Sequence, residues 1–178
     1  MQKLATLGVA GGVLALAGLA VAAVTTDTYT YRAALTPGAE VPKAKAPAGA
    51  KGAFTATVTV NGTASTLKWT LTFRGLSGKA LAAHIHKGKP GIAGAVLVPL
   101  CGPCTSGKKG RATITKSVAT LLQRGTAYVN VHTAKNAAGE IRGQVKFVKK
   151  TSTTDDPPPD DGGGGGGGGG GDDPPPGY

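Results

Sequence analysis

The chain contains three histidines, and their spacing predicts that they project from two β-strands, on the faces turned away from the core. His84 and His86 are separated by one residue, and His132 ends the run Tyr128-Val129-Asn130-Val131-His132. Alternate side chains of a strand project to the same face, so His84 and His86 project together. If the isoleucine and valines between these residues face the core, all three histidines face away from it. The His84–His86 pair is a two-nitrogen chelate, and a third histidine on a nearby strand would complete a three-histidine site for Cu or Zn with one position open. The alternative is a set of surface groups that hydrogen-bond to the backbone.

Three further polar residues lie close to the histidines in the predicted strands. Asn130 shares the predicted face of His132, and Glu140 and Arg142 share a face in Gly139-Glu-Ile-Arg-Gly-Gln144. We predict that these residues either orient a histidine through a hydrogen bond or stabilise the sheet, and the pattern favours a structural ion pair for Glu140 and Arg142.

The motif Cys101-Gly-Pro-Cys104 allows two kinds of chemistry. Thioredoxin-like enzymes place the same tetrapeptide at a helix N-terminus, which lowers the thiol pKa. Here the motif follows a predicted strand in a loop rich in glycine and lysine. We therefore expect a local structural disulfide between Cys101 and Cys104, with redox activity or binding of a soft metal as the alternatives.

Charge divides the chain into a basic and an acidic part. Residues 27–150 carry 19 lysines and arginines against Asp27, Glu40 and Glu140, a balance of +16. Residues 151–178 carry six aspartates and no basic residue. The basic part is expected to attract an anionic polymer, and a soluble basic surface without a specific partner is the alternative. We expect no nucleic-acid partner.

The two ends of the chain do not read as parts of the fold. Residues 1–24 begin with one lysine, continue as an apolar run and end in Ala20-Val21-Ala22, as in a cleaved secretory signal peptide. We therefore expect export to the cell envelope or the medium, with no transmembrane segment after cleavage. Residues 151–178 consist largely of Asp, Pro and ten consecutive glycines, and are expected to be a disordered acidic tail.

The middle of the chain, residues 27–150, is predicted to form short strands. Residues 54–60 and 67–73 alternate between apolar and polar side chains on either side of Asn61-Gly62, which predicts a hairpin with a two-residue turn. That turn would pair Val60 with Thr63, Ala56 with Leu67 and Phe54 with Trp69. Further strands are predicted at 29–35, 82–86, 95–100, 111–114, 127–132 and 140–148, with one short helix at 117–123. Short strands at this spacing predict an all-β antiparallel sandwich or barrel.

Five motifs, in order, resemble the CHRD (chordin-type) domain family of secreted proteins over about residues 29–148. They are Glu40-Val-Pro42, Gly75-Leu-Ser-Gly78, His84-Ile-His-Lys-Gly88, Tyr128-Val-Asn-Val-His-Thr133 and Gly139-Glu-Ile-Arg-Gly143. The resemblance implies an all-β extracellular module. The histidines also look loosely like the copper ligands of Cu,Zn superoxide dismutase, a Greek-key β-sandwich, although three histidines are too few for a two-metal cluster.

These observations predict a secreted, monomeric β-sandwich that acts as a binding module for an extracellular ligand. Its candidate site is His84, His86 and His132 with Cu or Zn. Two alternatives stay open: a copper-dependent redox enzyme at the same histidines, and an adhesion or cell-wall module that binds anionic polymers through its basic surface. No residue is predicted to be a nucleophile or a general base.

Overall fold

Alternating apolar and polar residues build a two-layer β structure in the part of the chain that the computed structural model describes, residues 23–61 and 64–155. Its elements in chain order are β1 (Val24–Leu35), the 3-10 turn η1 (Pro37–Ala39), β2 (Lys51–Asn61), β3 (Ala64–Arg74), β4 (Ala80–Lys87), β5 (Val96–Cys101), β6 (Lys108–Thr115), α1 (Lys116–Gln123), β7 (Ala127–Thr133), β8 (Ile141–Gln144) and β9 (Lys146–Asp155). Among the described residues, no helix has the length and apolar character needed to cross a membrane.

The strands form one five-stranded and one four-stranded sheet. The five-stranded sheet has the order β6-β3-β2-β1-β9, and the four-stranded sheet has the order β5-β4-β7-β8. The chain changes sheets after β3, β5, β6 and β8, so each sheet combines strands that are distant in sequence. The result is an all-β sandwich with antiparallel pairing and one short helix, as the sequence predicts.

The core lies between the two sheets, and alternation along each strand determines which residues enter it. Phe54, Val58 and Leu71 from the five-stranded sheet and Ile85 and Val129 from the four-stranded sheet are all buried. Burial of such aliphatic and aromatic side chains stabilises the fold by roughly 1.5–3 kcal/mol each.

The predicted hairpin is present, but its predicted register is wrong by two residues. Asn61 pairs with Ala64, and Ala56 therefore lies opposite Trp69 rather than Leu67. The side-chain pattern repeats every two residues, so a shift of two leaves the same faces together and alternation cannot detect it. Gly62 and Thr63, which connect the strands, lie outside the described residues.

The predicted strand 140–148 is two strands in different sheets. β8 pairs with β7, and β9 pairs with β1 in the other sheet. The chain crosses at Val145, which is fully buried and donates its backbone N–H to the carbonyl of Ala127. β9 then continues to Asp155, into the segment expected to be an acidic tail. The predicted signal peptide, apart from its last residues, and the rest of the tail lie outside the described residues.

Candidate metal centre

The three histidines lie together on the outer face of the four-stranded sheet, which we call the histidine face. It consists of the outward side chains of β4, β7 and β8. The inward residues of β4 and β7, among them Ile85 and Val131, are fully buried, so the histidines point away from the core. The ligand atoms that His84, His86 and His132 can offer all lie within 4.8 Å of one another.

In two of the histidines, a hydrogen bond to a backbone carbonyl determines which ring nitrogen carries the proton. The Nδ1 of His86 lies 2.9 Å from the carbonyl oxygen of Gly94, and the Nδ1 of His132 lies 2.9 Å from that of Ala137. A carbonyl only accepts, so both Nδ1 atoms carry the proton and both Nε2 atoms present a lone pair. Donation of one ring N–H to a backbone carbonyl is the usual arrangement of metal-ligating histidines.

The ring nitrogens that do not contact a backbone carbonyl differ in their hydrogen-bond partners. Nδ1 of His84 lies 3.0 Å from Nε2 of His132 and donates to it. Nε2 of His86 is buried and has no hydrogen-bond partner. An unpaired buried polar atom costs about 1–3 kcal/mol, so this nitrogen is maintained against a stability cost.

Burial keeps two of these imidazoles neutral near pH 7. It lowers the pKa of His84, and positive charge on His132 or His86 would lower it further. Burial also lowers the pKa of His132, although the hydrogen bond to Ala137 partly opposes this shift. Neutral imidazoles are the form that binds metals.

A three-layer stack supports His86 from the side. The ring of Tyr128 lies parallel to the imidazole, with 5.0 Å between centroids and 8° between planes. The guanidinium of Arg142 covers the other side of Tyr128, with Cζ 3.4 Å from the ring centroid. Arg142 donates from Nη2 to the carbonyls of Lys89 and Ile92, at 3.1 and 2.8 Å. Arg142 thus supports the face of His86 through Tyr128 and holds the loop that carries Gly94.

The glycines beside the His-x-His pair allow this loop to approach the sheet. A Cβ atom on Gly94 would collide with the carbonyl of Lys87, and one on Gly88 would collide with that of Ile92. Gly94 also donates its N–H to the Tyr128 hydroxyl at 3.3 Å. The Gly94 carbonyl that contacts His86 is therefore positioned by the close approach to Lys87 and by the hydrogen bond to Tyr128.

Glu140 does not contact a histidine, contrary to one of its two predicted roles, and it forms no ion pair with Arg142 among the described residues. Its carboxylate accepts hydrogen bonds from the Ser77 backbone N–H, at 2.6 Å, from the Ser77 and Thr133 hydroxyls, each at 2.5 Å, and from the Asn136 amide, at 3.0 Å. Burial alone would raise the pKa of Glu140, but these donors together lower it below its ordinary value. The carboxylate stabilises the 134–140 loop, whose Ala137 carbonyl holds His132.

A second buried carboxyl, missed by the sequence analysis as a site residue, lies beside Arg142 and Asn130. Glu40 is 2% exposed, and burial raises its pKa to about 7 although Arg142 opposes the shift. Its Oε1, the Oδ1 of Asn130 and the Nη1 of Arg142 have no hydrogen-bond partners. The Glu40-Val-Pro motif was the only sequence signal for this residue.

The predicted cysteine pair lies at the end of β5, where Cys101 pairs with Ala83, the neighbour of His84. Cys101 and Cys104 are joined by a disulfide. Cys104 is buried and donates its backbone N–H to the carbonyl of Ala80, at the start of β4. The bridge thus holds the loop after β5 against the beginning of the strand that carries His84 and His86.

The described residues thus form a β-sandwich whose four-stranded sheet carries three outward histidines beside loops with glycines. The CHRD domain family model matches residues 31–145, and the chain belongs to this family. Comparison with curated proteins and with solved structures finds no match to the chain.

Proposed function

We propose that this CHRD domain is a secreted binding module that holds one Cu or Zn ion through His84, His86 and His132. The observation that carries the proposal is the Nε2 atom of His86, which is buried and without a hydrogen-bond partner beside two further imidazoles, while Nδ1 of the same ring lies against the Gly94 carbonyl. A metal ion is the ligand that uses this lone pair and those of His84 and His132 together.

The geometry requires only a small contraction to bind. Nitrogen ligands at about 2.0–2.1 Å from a tetrahedral ion lie roughly 3.3 Å from one another. The present separations are all within 4.8 Å, and the pair His84–His132 is already at 3.0 Å. Rotation of His84 away from its bond to His132 supplies its lone pair. Cu²⁺ is expected to bind more tightly than Zn²⁺, following the general order for divalent ions.

A binding role is favoured over a catalytic one by the contacts of the two buried carboxyls. Glu140 is fully engaged by Ser77, Thr133 and Asn136, and Glu40 lies beside Arg142. Neither is placed to transfer a proton at the histidines. Three protein ligands leave one position open, so a copper redox enzyme remains the second candidate for the same site.

Secretion is part of the proposal. It is supported by the apolar N-terminal segment, by the family to which the chain belongs and by the disulfide, which is stable in an oxidising compartment.

The test is a metal titration of the full chain with Cu²⁺ and with Zn²⁺. We expect one ion per chain, and loss of binding when His84, His86 and His132 are all changed to Ala. These are the only histidines in the chain, so the triple variant has no imidazole background. Lys87→Ala, at an exposed position of β4, is the matched control and should bind as the wild type does.

A second measurement covers the case in which the triple variant does not fold. At a free metal concentration of 100 times Kd, binding should stabilise the wild-type protein by about 2.7 kcal/mol and raise its Tm by roughly 8–15 °C. No bound metal and no rise in Tm with either ion would contradict the proposal. Copper binding together with turnover of a redox substrate would favour the enzyme instead.

A further inference from the structure

The outer face of the five-stranded sheet carries an unusual set of side chains. The outward residues of β1, β2, β3 and β6 are mostly threonines, and six are cationic: Arg32, Lys51, Lys68, Arg74, Lys109 and Arg111. We call this surface the basic face. All six cations are exposed, and among the outward positions of these strands from residue 28 onward there is no acidic residue.

The register arranges these residues in rows across the sheet. One row contains Arg32, Thr55, Thr70 and Lys109, and the next contains Thr30, Thr57, Lys68 and Arg111. Adjacent strands are about 4.8 Å apart, so each row spans roughly 14 Å from β1 to β6. The first row therefore has a cation at each end with two hydroxyls between them, and the second has two hydroxyls on β1 and β2 and two cations on β3 and β6.

Within the described residues, the positive charges of this face have no acidic partner. In residues 23–61 and 64–155, the one ion pair joins Lys150 to Asp27 at 2.8 Å. The remaining acidic residues before the tail, Glu40 and Glu140, are buried outside this sheet. The cations of the basic face are thus free to bind anions from solution.

The middle of the basic face is concave. A cavity of about 770 Å³ is lined by Arg32, Lys68, Lys109 and Arg111 together with threonines of β1, β2 and β3. It is open to solvent, so an elongated ligand can lie along it.

The chemistry of the basic face fits an acidic sugar chain better than a nucleic acid. Guanidinium groups bind carboxylate or sulfate with two parallel hydrogen bonds, and threonine hydroxyls can donate to or accept from sugar hydroxyls. Proteins that bind single-stranded nucleic acids combine a basic groove with exposed aromatic side chains on which the bases stack. The one tryptophan of the sheet, Trp69, borders the cavity but is only 5% exposed, which leaves little of its ring for a base to stack on.

We propose that the basic face binds an acidic polysaccharide, with the four cations of the cavity contacting its carboxylates or sulfates. This is a second function, on the opposite sheet from the histidines and independent of any metal.

The test uses two variants with the same net charge. In the face variant, Arg32, Lys68, Lys109 and Arg111 are changed to Thr, which continues the threonine rows and keeps a residue that favours strands. In the control variant, Lys79, Lys87, Lys89 and Lys135, all exposed elsewhere on the domain, are changed to Thr. Both lose four positive charges. Binding of the full chain to polygalacturonate, to dextran sulfate and to neutral dextran is measured at physiological salt.

We expect the wild type to bind one or both of the acidic polymers, with an affinity that decreases as salt increases. The face variant should lose roughly 10- to 100-fold in affinity and the control variant less than threefold. The chain without histidines should bind as the wild type does, which separates this function from the metal site. Circular dichroism establishes that each variant is folded.

Three results would overturn the proposal. Equal losses in the face and control variants would show attraction by net charge alone. Equal binding to neutral dextran would show that the cations have no role. Tighter binding to single-stranded DNA of matched charge would identify a nucleic acid as the ligand.

Discussion

On the histidine face, polar side chains bond to one another and to the loops that cover them, whereas on the basic face they extend into solvent. Glu140 accepts four hydrogen bonds, and Arg142 is 2% exposed although it is charged. On the other sheet, the side chains of Arg32 and Lys68 are exposed, and they form no ion pair within the described residues. One sandwich thus carries a pre-organised surface suited to a small ion and an open surface suited to a long chain.

The difference has an energetic consequence. Groups fixed by buried hydrogen bonds contribute to the stability of the fold, and their loss leaves partners unsatisfied. Exposed side chains on a strand can change with little effect on stability. The histidine face should therefore be sensitive to substitution and the basic face tolerant.

The largest effect is expected for Glu140→Gln. The amide NH2 would face donors that now contact a carboxylate oxygen, so we expect a loss of about 2–4 kcal/mol in the free energy of unfolding. The pKa of Glu140 is lowered in the folded state, so its contribution is present above the ordinary pKa and is lost as the pH falls through the folded value. Urea denaturation at pH 7 measures the loss. A variant as stable as the wild type would show that the hydrogen-bonded network does not stabilise this face.

The same substitution at Glu40 should have the opposite effect. Its pKa is raised from 4.5 to about 7, so the folded protein retains a proton that the unfolded chain releases. Stability from this group is complete below pH 4.5 and disappears as the pH rises to about 7. Glu40→Gln keeps the neutral form, and above pH 7 it should be more stable than the wild type by up to about 3 kcal/mol.

Denaturation of both proteins at pH 5 and pH 8 tests this prediction for Glu40. The difference between Glu40→Gln and the wild type should be small at pH 5 and large at pH 8. A difference that does not change with pH would show that the carboxyl titrates at its ordinary value.

The smallest effect is expected on the basic face. Single substitutions Arg32→Thr and Lys68→Thr should each change the free energy of unfolding by less than about 0.5 kcal/mol, because neither side chain is buried or paired. Thermal denaturation of these two variants in parallel with Glu140→Gln compares the stability effects of substitutions on the two faces. A loss above 1 kcal/mol in the free energy of unfolding at either position would mean that the basic face does not tolerate substitution.

The sequence predicted which side chains point outward from each strand better than it predicted how the strands pair. Alternation around Ile85 and Val131 correctly predicted that the three histidines point away from the core, but only the pairing of β4 with β7 brings them onto one face. It could not determine the hairpin register, since pairing Ala56 with Leu67 or with Trp69 leaves the same faces together. Nor could it show that the chain crosses between sheets at Val145, because both halves of 140–148 have strand-like composition.

The parts of the site that the sequence did not predict depend on loops that meet only in the folded protein. Ser77 and Asn136 reach Glu140 from segments far apart in the chain. The Gly94 carbonyl reaches His86 because two glycines permit a close approach of backbone to backbone. Of the supporting residues, the sequence did indicate Arg142 and Glu140, although not the contacts through which they act.

The pairing of β1 with β9 also determines when the molecule can fold. The first strand of the domain lies beside the last, so the five-stranded sheet is complete only after Lys146–Asp155 has been synthesised. β6 likewise joins β3 only after two strands of the other sheet have been made. Pairings this distant in sequence fold slowly, in milliseconds to seconds for β-sandwiches. The nascent chain therefore lacks its complete five-stranded sheet until β9 has been made.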